Sequence, residues 1–411
     1  MTSTDTVEIS GHLMDSGILS RVLDDIREYG GDYVIVRFDL GHDAGDISHA
    51  ELKVSAEDDE ALQRLLMRLQ TRGVNQVDPG VAAVKVTEQD GVFPDGFYSS
   101  TNLETQVRLD KSWLPVANPE MDCGLIVEDT EGEPRIHTLP MADVRAGMKV
   151  ICGASGIRVD VPVVADTGGF GFMESDVSSE KPQAVLVRQV ADGMREAKAA
   201  GKKVLWVGGP GVVHTGAAPA MVELVNAGYV DVLFAGNALA THDIESALYG
   251  TSLGIDLARG QGVEHGHEHH IRAINTIRKA GSIRAAVETG VLTGGIMHAL
   301  VKQEKSFVLV GSVRDDGPLP DVYTDVIDGQ RAMRAELTDV GFCLMVATML
   351  HSVATGNILP ASIPLVCVDI NPATVTKLAD RGSSQARGIV TDVGLFLEQL
   401  AGELVPEYRR R

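Results

Sequence analysis

Three groups of residues in this chain have the types and spacing to do chemistry. The first is a glycine-rich turn, Gly208-Gly209-Pro210-Gly211, which ends the apolar run Val204–Val207. A glycine turn feeding a helix presents bare N–H groups and the positive end of a helix dipole, which suits an anion such as a nucleotide diphosphate. The common fingerprints do not fit. G-x-G-x-x-G would need glycine where His214 stands, and a P-loop would need Lys-Ser/Thr after its last glycine. A tight βα turn with no ligand accounts for the same residues equally well.

The second group is a series of polar positions, each following a short apolar run: Gly236-Asn237-Ala238, Arg314-Asp315-Asp316, His351-Ser352, Asp369 and Asp392. In a parallel sheet all of them would lie along the carboxyl edge, together with the glycine turn, and ligands bind at that edge. Asp369 is placed to accept hydrogen bonds from ribose hydroxyls, and an acid there favours NAD over NADP. Asp392 could serve the adenine or its ribose. Each aspartate also precedes a helix and could simply cap it. The third group is Gly262–His270, GVEHGHEHH, which holds four of the 12 histidines. It is not H-E-x-x-H, because position 271 is Ile, and no cysteine is close, so no dedicated metal site is expected. A weak, incidental metal site or a polar loop fits better, and one histidine acting as acid or base is a third option.

These residues need a large α/β framework. The chain has 411 residues, 44% of them apolar, and 44 glycines, which suits many βα turns. No apolar run approaches a membrane span, and MTSTDTVEIS lacks the features of a signal peptide, so a cytoplasmic protein with no membrane partner is expected. The four cysteines are far apart, which argues against disulfides. A net charge of −21 excludes nucleic acid as a partner.

Three segments are expected. Residues 1–90 follow a β-α-β-β-α-β order, the ferredoxin-like plan, with helices over Ile18–Tyr29 and Glu57–Arg72 and a closing strand over Val81–Val86. Residues 91–165 are rich in turns and short strands, a small β-rich middle segment. Residues 166–411 alternate strands and helices and predict a doubly wound parallel sheet, a Rossmann-like domain. Within it, Thr215 is the expected N-cap of the helix that carries Pro219.

Several long stretches carry a resemblance: FPDGFYSSTN, EMDCGLIV, GPGVVHTGA, YVDVLFAGNALATHDIE, SVRDDGPLPDV, ATMLHS, VDINPATVTKL and GIVTDVGLFL. Together they are similar to the archaeal-type ornithine cyclodeaminases, the LOR/SDH-related group, and to the C-terminal part of cyanobacterial arginine-to-proline enzymes. The late sheet also resembles the NAD-binding domain of deoxyhypusine synthase. The resemblance implies bound NAD, a homo-oligomer (dimer or tetramer), and conversion of L-ornithine to L-proline and ammonia. It places the NAD contacts at Asn237, Ala238, Asp315, Met349, Leu350, His351, Ser352, Asp369, Asp392 and Val393.

For that chemistry Asp316 is the first choice of acid/base, with Lys302 and His270 behind it, and Asn102 and Arg108 are candidates to hold the substrate. Two other readings stand beside it. One is a net NAD-dependent dehydrogenase of the saccharopine or lysine type. The other is a non-catalytic sensor of NAD or an amino acid.

Overall fold

The computed structural model describes residues 2–11, 13, 17–42, 46–130, 132–160, 183–252, 255–256, 268–315, 317–380 and 386–409. The chain divides into two compact units, one of residues 1–174 with 357–362, the other of residues 175–356 with 363–411.

The first unit opens with β1 (Ser3–Gly11), α1 (Ile18–Glu28), β2 (Asp32–Asp39), β3 (Ser48–Ala56), α2 (Asp59–Gln70) and β4 (Asn75–Gln76). The strands pair antiparallel in the order β2-β3-β1-β4, which is the ferredoxin-like arrangement. Asp58 caps α2, its carboxylate accepting from Ala61 N at 2.8 Å, and Leu62, Leu65, Leu66 and Leu69 form its buried stripe. Along β3, Ala50, Leu52 and Val54 alternate into the same core. β2 does not follow this pattern. It is an edge strand, and Val34, Ile35, Val36 and Phe38 are all exposed.

A second sheet contains β5 (Ala83–Val86), β6 (Glu104–Leu109), β7 (Ser112–Ala117), β8 (Gly124–Thr130), β9 (Glu133–Leu139), β10 (Lys149–Cys152) and β11 (Ile157–Asp160), in the order β11-β6-β7-β9-β8-β10-β5. The expected closing strand Val81–Val86 therefore belongs here. β5 pairs with β10, and the two-residue β4 closes the ferredoxin-like sheet in its place.

The second unit runs through α3 (Gln183–Ala199), β12 (Lys203–Gly208), α4 (Gly211–His214), α5 (Ala218–Asn226), β13 (Val232–Gly236), α6 (Asn237–Tyr249), the short pair β14 (Thr251–Ser252) and β15 (Ile255–Asp256), α7 (His269–Ala280), α8 (Ile283–Glu288) and α9 (Ile296–Lys302). It continues with β16 (Ser306–Val310), β17 (Val322–Tyr323), α10 (Val326–Glu336), β18 (Val340–Val346), α11 (Leu350–Ile358), β19 (Leu365–Asp369), α12 (Pro372–Asp380), β20 (Ala386–Val390) and α13 (Val393–Leu404).

The seven-stranded sheet has the order β17-β16-β13-β12-β18-β19-β20, and every pair is parallel. Val204–Val207 are fully buried, as expected of a strand covered on both faces. From β12 the chain steps outward to β17, then returns to the other side of β12 for β18 and steps outward again. That reversal is a topological switch point, and it lies between β12 and β18.

Two local expectations change. Thr215 does not cap the helix that carries Pro219. Its hydroxyl turns back to Gly211 O at 2.8 Å, and Ala217 stands at the cap of α5 with no side-chain bond. Gly236-Asn237-Ala238 is not a loop, because α6 begins at Asn237, directly at the end of β13.

Candidate functional site

The carboxyl ends of the parallel strands form one edge, as the polar strand ends predicted. At the switch point the two central strands meet without room for side chains. Gly209 N donates to Val346 O at 2.9 Å, and a Cβ on Gly209 would lie 1.8 Å from Ala347 O. Ala347 itself adopts φ 54°, a left-handed conformation costly for a residue with a Cβ. At the end of β13, a Cβ on Gly236 would come within 3.0 Å of His351 Nε2. These approaches open a crevice beside the backbone.

A cavity of about 590 Å³ occupies this edge of the second unit, within the range of small-molecule sites. Its walls include Gly208–Pro210, Gly236–Leu239, Arg314, Asp315, Thr348, Leu350 and His351. Helix α6 starts at the cavity with no side-chain cap, so its first N–H groups and its dipole remain available to an anion. Val313 and Ile370, on the loops after β16 and β19, and Leu350, at the start of α11, stand exposed, apolar surface suited to flat heterocyclic rings. The cradle fits a dinucleotide: close backbone at the switch point, an open helix N-terminus, and an acid at a strand end.

Individual residues use their side chains in several ways. Asn237 Oδ1 accepts from Leu319 N at 3.0 Å and from Thr241 Oγ1 at 3.3 Å, so Asn237 and Ala238 face the cavity mainly through the backbone of α6. Asp315 lines the cavity and accepts from Ser312 N at 2.7 Å. Burial holds the His351 imidazole below its usual pKa, and the Asp315 carboxylate partly opposes this. Ser352 is fully buried and its hydroxyl donates to Thr348 O. Asp369, at the end of β19, is 8% exposed and accepts from Asn371 N at 2.8 Å. Asp392 caps α13 through Leu395 N at 2.7 Å, with Val393 buried behind it. Met349, Ser352, Asp369, Asp392 and Val393 share this edge but are not on the cavity wall.

Of the acid/base candidates, His270 lies in the first turn of α7 and lines the cavity. Lys302 is exposed at the last turn of α9, away from the cavity wall. Asp316 and most of the histidine-rich stretch lie outside the described residues. Asn102 and Arg108 belong to the first unit. Asn102 is buried and donates to Leu359 O at 3.2 Å, and Arg108 lines a separate depression of about 260 Å³ with Trp113.

A cluster that the sequence reading missed lies in the same cavity. His214, His242 and His270 all line it. The ring centroids of His242 lie 4.8 Å from those of His214 and 6.3 Å from those of His270. His242 Nδ1 lies 2.8 Å from Oε2 of Glu245, a fully buried carboxylate. Glu245 Oε1 accepts from Thr251 Oγ1 at 2.9 Å, and Thr251 Oγ1 lies 2.8 Å from His269 Nδ1. Burial is the larger cause that holds His214 below its usual pKa, followed by the charge of His242, while Glu245 acts in the opposite direction. Such a cluster offers several imidazole nitrogens that can accept or donate a proton. The one local signal was the i,i+3 spacing of His242 and Glu245, which puts both on one helix face.

Comparison with known proteins covers nearly the whole chain. Residues 188–400 match the family described as arginine dihydrolase ArgZ-like, C-terminal, Rossmann fold. Residues 4–103 match the LOR/SDH bifunctional enzyme conserved region, and residues 104–187 the ArgZ-like C-terminal first region. The chain is 49% identical to an ornithine cyclodeaminase of Methanothermobacter thermautotrophicus, covering 98% of each. It resembles the crystal structure of the cyanobacterial arginine dihydrolase ArgZ with a TM-score of 0.85 and 36% identity, covering 99% of this chain and 59% of that one. It also resembles the ternary complex of AgrE with ornithine and NAD+, with a TM-score of 0.53, 41% identity, and 99% and 59% coverage. The chain thus spans about three fifths of ArgZ and AgrE. On this evidence the chain belongs to the archaeal-type ornithine cyclodeaminase family, the LOR/SDH-related group that includes the C-terminal part of the ArgZ-like enzymes.

Proposed function

We propose that this protein is an NAD-dependent ornithine cyclodeaminase, an ammonia-lyase that converts L-ornithine to L-proline and ammonia with no net redox change. The observation that carries this reading is one cavity in which a dinucleotide cradle and a histidine–glutamate cluster meet, in a chain 49% identical to an enzyme of that name. The start of α6 and Arg314 would hold the diphosphate, and Asp369 the ribose hydroxyls, consistent with NAD rather than NADP. When bound, the nicotinamide supplies a reversible hydride acceptor for Cα of ornithine. The chain's own residues must orient the amines, carry protons and shield the imine from water.

The protein acts as a homo-oligomer in this reading. The apolar edge strand β2, exposed along its length, supports this, and light scattering on the intact chain would test it. Among the described residues no helix is long and apolar enough to cross a membrane, and the four thiols are free and buried, as suits a reducing cytoplasm.

The test is incubation with L-ornithine and catalytic NAD. Equimolar proline and ammonia with no accumulating NADH is the expected result. NADH formed in proportion to substrate would instead indicate a net dehydrogenase.

A further inference from the structure

We propose that His242, held in place by Glu245, carries the proton that ring closure must move between the two nitrogens of ornithine; this rests on the function assigned above. Ornithine's δ-nitrogen arrives as an ammonium with three hydrogens and ends as the ring nitrogen of proline with two. Its α-nitrogen arrives with three hydrogens and leaves as ammonium with four. One N–H bond at the δ-nitrogen breaks, a bond from that nitrogen to Cα forms, and the bond from Cα to the α-nitrogen breaks. The hydride that leaves Cα for the nicotinamide dinucleotide returns to the same carbon. The net task is therefore one proton carried from the δ- to the α-nitrogen, and a single imidazole that accepts and then donates can do it.

His242 has the geometry for this. It is 8% exposed and lines the cavity. Its Nδ1 is tied to Glu245 at 2.8 Å, which leaves Nε2 as the nitrogen that can meet substrate. Glu245 is fully buried, and a buried carboxylate is costly unless it is paired. Its two oxygens are met by His242 and Thr251, so it acts as a positioning residue that fixes the ring. The titratable groups that face His242 among the described residues are Glu245 on its own helix, His214 from α4 and His270 from α7, with His269 linked to Glu245 through Thr251.

The experiment compares the wild-type holoenzyme with His242→Asn and Glu245→Gln, after melting curves confirm that each folds. For His242→Asn, kcat should fall by about 10² or more, while the ornithine Kd, measured by calorimetry, changes only severalfold. For Glu245→Gln, kcat should fall by about tenfold or more while the ornithine Kd changes only severalfold, and Glu245→Asp, which keeps the carboxylate, should recover part of the rate. A merely structural Glu245 would lower the melting temperature without separating kcat from Kd. Wild-type turnover by folded His242→Asn or folded Glu245→Gln overturns the proposal. If either variant fails to fold, the other decides. If the wild-type enzyme makes no proline from ornithine, the functional assignment itself falls. If it does and the variants match it, only the proton-carrier role falls.

Discussion

Replacing Gly209 by alanine probes the crevice most sharply. The added carbon would sit 1.8 Å from Ala347 O and 2.7 Å from Ala347 C. Both neighbours are backbone, so no side chain can swing away. Reaching even 3.0 Å requires a shift of at least 1.2 Å between the ends of β12 and β18, which are already joined by the Gly209 N to Val346 O bond of 2.9 Å. Overpacking of this kind costs about 1–3 kcal/mol, and the weakened hydrogen bond adds about 1 kcal/mol. A displacement of about 1 Å at a binding site can cost on the order of 100-fold in function. Gly209→Ala should therefore lose about 2–4 kcal/mol of stability to denaturant and bind NAD far more weakly by calorimetry. Gly402→Ala is the matched control. It lies within α13 with nothing within 4 Å of the new carbon, and should be neutral or stabilising by up to about 1 kcal/mol. Wild-type NAD affinity in Gly209→Ala would refute the placement of the nucleotide at the switch point.

Two further changes follow from buried acids. Burial raises Asp243 from 3.8 to about 6, although its carboxylate accepts from Ile296 N and Met297 N at the start of α9. The folded state therefore holds a proton that the unfolded chain releases, and stability falls as pH rises from about 4 to about 6, by about 3 kcal/mol at most. Asp243→Asn should flatten that slope in denaturant titrations at pH 4.5 and 7, and parallel curves for the two proteins would contradict it. Asp369→Asn should weaken NAD by about tenfold and narrow the preference over NADP, which competitive binding of the two nucleotides measures; an unchanged ratio would remove Asp369 from the ribose site.

Much of the polar sheet edge was legible because each strand reads as an apolar run that breaks at glycine or a polar residue, and a parallel sheet puts all such breaks on one side. The switch point was not legible, since it depends on which side of β12 the later strand β18 joins. The start of α6 was misread because Gly236 offers no capping side chain and Asn237 resembles a turn residue. α6 is also buried nearly all round, so it carries little periodic signal of an outer face. The proton cluster was invisible for a related reason. His214, His242 and His270 lie on α4, α6 and α7, and folding rather than spacing brings their rings together. β5 was misassigned because a β-branched strand does not say which of two adjacent sheets it will join.

In the proposed reaction the hydride taken from ornithine stays in this cavity and is given back to the same carbon. L-ornithine carrying deuterium at C2 tests it in one reaction with unlabelled NAD. The expected product is proline that retains deuterium at C2, with no deuterated NADH building up in solution. Proline free of the label, or label accumulating in NADH as substrate is consumed, would contradict it.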